Sequence, residues 1–364
     1  MTQTPIKADI DLQALAHNAS VAQSLAPQSQ QLAMVKANAY GHGLEPVAKS
    51  LAPYISGFGI ARLSEASQLQ ALKLNKDIVL MSGFLTEDEL MACAQNGLTP
   101  VIHNQHQLSI LQQIQLPCPI NIWLKINTGM GRLGFHRTQF AALYEQLAKN
   151  SNIRHPIGVM SHLANAGTRQ PPLAKQQYQK LKSTIHGYPV KTSLANSAAL
   201  LTQDIPQDQD WVRPGIMLYG ASPVDYLTAH ELNLKPVMTL KSKLIAINQL
   251  NQGDTIGYGS IWQCPESMPV GVVAIGYGDG YPRNITPNTP VRIREQYANI
   301  IGNISMDMLT VDLRGVKHAK IGDEVTLWGQ HLPIEMIARS AGTIGYDLMC
   351  RVNQTQARVH FQYN

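Results

Sequence analysis

The chain has little of what would staple it, anchor it or bind it to a polyanion. Its four cysteines, Cys93, Cys118, Cys264 and Cys350, lie far apart and form no C-x-x-C pair, which argues against a zinc ribbon or a redox motif and fits idle thiols in a reducing compartment. No apolar stretch is long enough to span a bilayer. The N-terminus, MTQTPIKADIDLQAL, has no basic segment leading into an apolar one, so no secretion signal is expected. Runs of like charge are missing too. The formal balance of +5, from 29 Lys and Arg against 24 Asp and Glu, comes from scattered residues, which argues against a nucleic-acid surface and suits a small anionic ligand. No HExxH and no P-loop occurs, and the histidines do not cluster at ligand spacing, so no metal is expected. The absences leave a cytoplasmic globular protein with no membrane and no nucleic-acid partner.

What is present is order. A length of 364 residues suggests two domains and a substantial core. Short apolar runs begin at Leu32, Gly57, Asp77, Thr99, Ile120, Ile157, Lys191 and Trp211, as expected of strands buried on both faces. Helical patterns lie between them. TEDELMACAQNG places Glu89 three residues after Thr86, a capping box, and stops at Gly97. Eight cycles of strand and helix predict an α/β fold, a (β/α)8 barrel over 9–231, although an open doubly wound sheet would alternate in the same way. From about Leu232 the texture becomes strands separated by Gly, Asp and Pro turns, which predicts a mostly β domain over 232–364 that residues 1–8 could join. IEMIARSAG is its one helical candidate.

Lys36 closes the first of these strands, and barrel chemistry sits at the carboxyl ends of strands. Desolvation there would favour a neutral amine, which can form a Schiff base with an aldehyde cofactor such as pyridoxal 5'-phosphate. A snorkelling surface lysine is the plain alternative. GMGRLG, Gly129 to Gly134, is formally G-x-G-x-x-G, but no acidic residue ends a second strand about twenty positions on, so a dinucleotide site is not expected.

The segment VKANAYGHG around Lys36 resembles the cofactor-lysine signature of the alanine racemases. DIDLQALAHN, KINTGMGRLG, MSHLANA, ANSAA, VRPGIMLYG, GDTIGYG, IGYGDGYPR and SMDM also resemble that family's segments, in the family's order and over nearly the whole chain. The resemblance implies a pyridoxal-phosphate barrel followed by a β domain, working as a head-to-tail homodimer on alanine. It implies two catalytic acid/base groups, Lys36 for the D-enantiomer and Tyr258, from the partner subunit, for the L-enantiomer. His162 matches the residue hydrogen-bonded to that tyrosine. Arg213 matches the residue facing the pyridine nitrogen, where an arginine cannot accept the ring proton and should leave a weaker electron sink. Tyr40, Asn196, Ser197, Gly215, Ile216 and Tyr346 match cofactor ligands, mostly of the phosphate. Arg132 matches a contact to the cofactor's phenolic oxygen and the substrate carboxylate, oriented by Lys125 when that lysine is carbamylated. Met306 matches a backbone donor to the carboxylate. Asp307 follows it, and Tyr277 and Arg283 match residues lining the access passage.

Two positions depart from the family pattern. Asn127 stands where Asp is common and Asn303 where Arg is common, which leaves open how the Lys125 loop and the β-domain loops are supported. A decarboxylase of basic amino acids would normally place an acid at the ring nitrogen and carry a glycine-rich phosphate motif. A pyridoxal-phosphate protein without turnover would stop after the barrel. A racemase of broader specificity is the nearest alternative. The product would supply peptidoglycan or the reaction would degrade D-alanine; the sequence does not choose.

Overall fold

The computed structural model describes residues 4–169, 172–352 and 358–362. Eight parallel strands, Gln30–Met34, Gly57–Ile60, Asp77–Leu80, Thr99–Ile102, Trp123–Asn127, Gly158–Met160, Lys191–Asn196 and Trp211–Arg213, form the first sheet. Val101 pairs with Trp123 in the middle, and Trp211 of the last strand pairs with Gln30 of the first. The sheet is therefore closed, which excludes the open doubly wound alternative. Leu32, Val79, Val101, Trp123, Met160 and Trp211, from six strands, form an apolar cluster apart from the main core, as expected of a filled barrel. The Trp123 and Trp211 rings meet edge to face at 6.4 Å.

Helices follow the strands and bury their apolar stripes on the barrel. The expected box before Glu87–Gln95 is half formed, because Glu89 reaches the residue before the cap rather than Thr86 itself. Thr86 Oγ1 accepts the Glu89 N–H at 3.2 Å, and the Glu89 carboxylate accepts the Leu85 N–H at 2.6 Å. The first bond satisfies a donor that the first helical turn would leave orphaned, and the second ties down the chain just before the cap. Among the described residues no helix is long and apolar enough to cross a membrane.

The second sheet has eight strands and is mostly antiparallel. Its long strand, Met238–Leu250, pairs with three others. The N-terminal strand Lys7–Asp11 lies between that strand and Arg358–Gln362, so both ends of the described chain are tied into this sheet. Buried Asp9 forms ion pairs with Lys7 and Lys241, at 2.6 and 3.2 Å. The expected helix at IEMIARSAG spans Ile334–Ser340. A second helix, Gly345–Arg351, was not evident from the sequence. Its Asp347 and Arg351 pair one turn apart at 2.7 Å, and it packs on the segment that follows Lys36.

Candidate active site

The first barrel strand ends at Met34, and the chain then turns the unusual way. Ala37, Asn38, Ala39 and Tyr40 all have left-handed backbone angles, with φ of 54, 53, 53 and 52°, and Gly41 follows at 80°. Each non-glycine residue held there costs about 1–2 kcal/mol, so neighbours must impose the turn. Glu65 Oε1 accepts the Ala37 N–H at 2.6 Å, and Asn38 Oδ1 accepts the Leu44 N–H at 2.8 Å. The Tyr40 ring stacks on Tyr219 at 4.7 Å, and the Tyr219 hydroxyl donates to the Met34 carbonyl at 2.9 Å. Buried His42 donates from Nδ1 to the Tyr40 carbonyl at 2.9 Å. The result sets Lys36 at the open carboxyl end of the strand. The residue is exposed as a whole, yet the surrounding protein, and then the Arg132 guanidinium, hold its pKa below the ordinary lysine range, while Cys350 and Glu65 oppose them.

The ring around Lys36 is basic. Lys125, 6% exposed, is lowered to about 8 by burial and then by Arg213, Arg132 and Lys36. Arg213, 3% exposed, donates to Ser193 Oγ at 2.5 Å and to the Ser161 and Leu194 carbonyls at 2.6 and 3.1 Å. Burial brings it to about 10, so it stays charged near neutrality. His162 Nδ1 lies 3.3 Å from the same guanidinium, and burial and then Arg213 hold His162 at about 3, the neutral form at ordinary pH. Such a mouth attracts phosphate and carboxylate.

A cradle closes the far side. Ser197 Oγ, at the start of the helix Ser197–Thr202, accepts the Gly215 N–H at 2.8 Å. Asn196 caps that helix by accepting the Ala199 N–H at 3.1 Å. A Cβ on Gly215 would stand 3.0 Å from Tyr40 Oη, so the missing side chain leaves room where a hydroxyl and backbone amides converge. The Tyr346 ring lies 5.9 Å from Tyr40, and Gly345 packs beside Ile216. Burial pushes the Tyr346 phenol up to about 12 and Tyr40 higher still. The structure thus brings Lys36, Tyr40, Lys125, Arg132, His162, Asn196, Ser197, Arg213, Gly215, Ile216 and Tyr346 to one end of the barrel.

Tyr258, Met306, Asp307, Tyr277 and Arg283 belong to the β domain. Tyr258 is 72% exposed and Met306 55%. The Tyr277 and Gly278 N–H groups donate to the Ser305 and Met306 carbonyls at 3.1 and 2.9 Å. The Arg283 guanidinium sits 6.0 Å from the centre of the Tyr277 ring. Within one chain, among the described residues, no hydrogen bond joins Tyr258 to His162. Asn127 Oδ1 accepts the Gly129 and Gly131 N–H groups at 3.0 and 3.1 Å. That is acceptor work an Asp would also do, so the loop carrying Arg132 is supported. Asn303 Nδ2 donates to the Tyr258 carbonyl at 2.7 Å.

The sequence reading missed three residues that build the site. Glu65 and Tyr219 hold the left-handed turn. Buried Gln177 donates to the His162 carbonyl and Thr128 Oγ1, at 3.0 and 3.3 Å, and accepts the Ala164 N–H at 2.9 Å. Glu65 carried a signal, since it stands third in a helix that follows a barrel strand. Gln177 carried none.

A strand-end lysine ringed by cations and phenols, on a closed (β/α)8 barrel joined to a β domain, defines a barrel enzyme for small anionic ligands. The comparisons narrow that class. Residues 10–223 match the family described as alanine racemase, N-terminal domain, and residues 237–360 match its C-terminal domain. An alanine racemase of Coxiella burnetii is 44% identical over 359 residues, 97% of each chain. One of Vibrio parahaemolyticus is 43% identical, covering 98% of each. The crystal structure of a biosynthetic alanine racemase from Pseudomonas aeruginosa superposes with a TM-score of 0.95 at 39% identity, covering 99% of this chain and 100% of that one. The chain belongs to the alanine racemase family, and its activity class is that of an isomerase acting on alanine, EC 5.1.1.1.

Proposed function

We propose that the protein interconverts L- and D-alanine in the cytoplasm, as a head-to-tail homodimer, with pyridoxal 5'-phosphate as its resident cofactor and Lys36 and Tyr258 as two acid/base groups. The observation that carries this reading is the Ser197–Gly215–Tyr40 cradle beside the strand-end amine of Lys36. The donor set suits the cofactor. Backbone amides at Gly215 and Ile216 and hydroxyls of Ser197, Tyr40 and Tyr346 would hold its phosphate, and Arg213 would face its ring nitrogen. When bound, the cofactor supplies an electron sink for the negative charge left at Cα.

Lys36 takes and returns the Cα proton on one face. Its lowered pKa raises the share of neutral amine that can act as a base. Tyr258 serves the opposite face. Its exposure on the β domain suits delivery to the partner subunit's barrel, where neutral His162, whose Nδ1 faces the donating Arg213 guanidinium, would donate its Nε2–H to the phenol oxygen. Arg213 donates all its protein hydrogen bonds and cannot take a proton from the ring, which moderates the sink and discourages transamination. Arg132 and the Met306 N–H hold the substrate carboxylate. Lys125 orients Arg132, and an amine with a pKa near 8 is neutral often enough to be carbamylated. Tyr277, Arg283 and Asp307 border the access passage, which favours small amino acids. The product serves peptidoglycan assembly, or the same reversible step degrades D-alanine.

The test adds L-alanine and pyridoxal phosphate to the purified protein and follows D-alanine with a coupled oxidase. A folded, yellow protein that forms no D-alanine ends the proposal. Tyr258→Phe should keep the yellow absorbance and slow Cα-proton removal from L-alanine by about 100-fold or more. Unimpaired removal takes Tyr258 out of the reaction.

A further inference from the structure

We infer that Asn303 is a positioning residue that aims Tyr258 and couples it to the Met306 backbone. Tyr258 begins a tight turn, Tyr258–Ser260, between the two-residue strands Thr255–Ile256 and Trp262–Gln263. Gly257, Gly259 and Ser260 have φ of 69, 76 and 50°, so local preference does not fix this turn. Packing does not fix it either, because the Tyr258 ring is largely in solvent. The turn's own bonds are a Ser260 N–H to Gly257 carbonyl contact at 3.2 Å and a Thr255–Ser260 hydroxyl pair at 3.1 Å. The side-chain tie from another segment is the Asn303 Nδ2 donation to the Tyr258 carbonyl at 2.7 Å. Asn303 stands three residues before Met306, just ahead of the turn that the Ser305 N–H closes on the Met308 carbonyl at 2.9 Å. One uncharged amide thus fixes the main chain of the proposed acid/base phenol to the loop that presents the proposed carboxylate donor.

This inference rests on Tyr258 being an acid/base group. Its test therefore starts from Cα-label loss to solvent, measured separately from labelled L- and D-alanine, in wild type, Tyr258→Phe, Asn303→Asp and the double variant. Asn303→Asp keeps the shape and removes the donor. It should slow label loss from L-alanine about 5- to 30-fold, the usual reach of one lost hydrogen bond. Label loss from D-alanine and the yellow absorbance should change little. Asn303→Gln, which keeps an amide donor, should recover part of the rate. In the Tyr258→Phe background Asn303→Asp should add almost nothing. Hydrogen exchange should rise in the segment 255–263 and stay unchanged in barrel segments. Should Asn303→Asp assemble poorly, Asn303→Ala takes its place in every arm. A full rate from L-alanine in either variant, or a multiplicative loss in the double variant, overturns the inference. An unimpaired Tyr258→Phe overturns the proposed function instead.

Discussion

Glu65 accepts the backbone N–H of Ala37 at 2.6 Å, one residue past Lys36. Its other oxygen accepts the Ala61 and Arg62 N–H groups at 2.8 and 3.1 Å. One carboxylate therefore ties the end of the second barrel strand to the start of the left-handed turn. Glu65→Ala should cost about 2–4 kcal/mol, because it strands partly buried amide donors, and Glu65→Gln about half of that. Denaturant midpoints measure both. Glu65 also favours the charged form of Lys36, so capture of pyridoxal phosphate should reach its plateau at lower pH in Glu65→Gln. An unchanged pH dependence would show that the carboxylate acts on the backbone alone.

Gly41 is the hinge between that turn and the β domain. Its φ is 80°, and a Cβ there would lie 2.2 Å from the Met349 carbonyl oxygen. Gly41→Ala must lift the helix Gly345–Arg351, which carries Tyr346. We expect a loss of more than about 3 kcal/mol and weaker pyridoxal-phosphate binding by equilibrium dialysis. Gly97 is the control. It has φ of 62° with nothing within 4 Å of an added Cβ, so Gly97→Ala should cost only about 1–2 kcal/mol and leave binding intact.

Lys36→Ala removes the one amine at the end of the first strand. The cradle of Ser197, Gly215 and Tyr40 stays, so the protein should still bind the phosphate group weakly. It should lose the yellow absorbance of the covalently held cofactor and all detectable racemisation. Persistence of that absorbance would place the covalent link on another lysine, with Lys125 the first to test, since burial lowers it as well.

The barrel strands were legible because each is a short apolar run buried on both faces. Closure was not, since alternation of strand and helix is common to open and closed sheets, and only the Trp211–Gln30 pairing separates them. The left-handed turn was invisible for a different reason. Lys-Ala-Asn-Ala-Tyr has ordinary right-handed helix formers, and the contacts from Glu65, Tyr219 and Met349 that reverse it come from distant segments. The helix Gly345–Arg351 has seven residues, too few for an apolar period to emerge. The residues grouped at the barrel mouth were named through family resemblance. Gln177 escaped notice because a glutamine on an amphipathic helix reads as solvated surface until the fold buries it.

Two histidines, His42 fully buried and His162 half-buried, should set the acid limit of stability. Burial holds His42 at about 4, against a small opposing contribution from its backbone hydrogen bonds. His162 is held at about 3, by burial and then by Arg213. Both values lie below the unfolded value near 6.5, so the unfolded chain binds protons that the folded chain refuses. Stability is then complete above about pH 6.5 and falls as pH drops toward 4, by up to about 1.4 kcal/mol per pH unit for each histidine. His42→Asn keeps a donor for the Tyr40 carbonyl and removes one of the two titrations. Between pH 6.5 and 5 it should lose about 1.5 kcal/mol less than wild type in denaturant unfolding, at one fixed protein concentration because dimerisation would contribute. Equal losses in the two proteins would exclude His42 from the acid transition and leave it to His162 and the carboxylates.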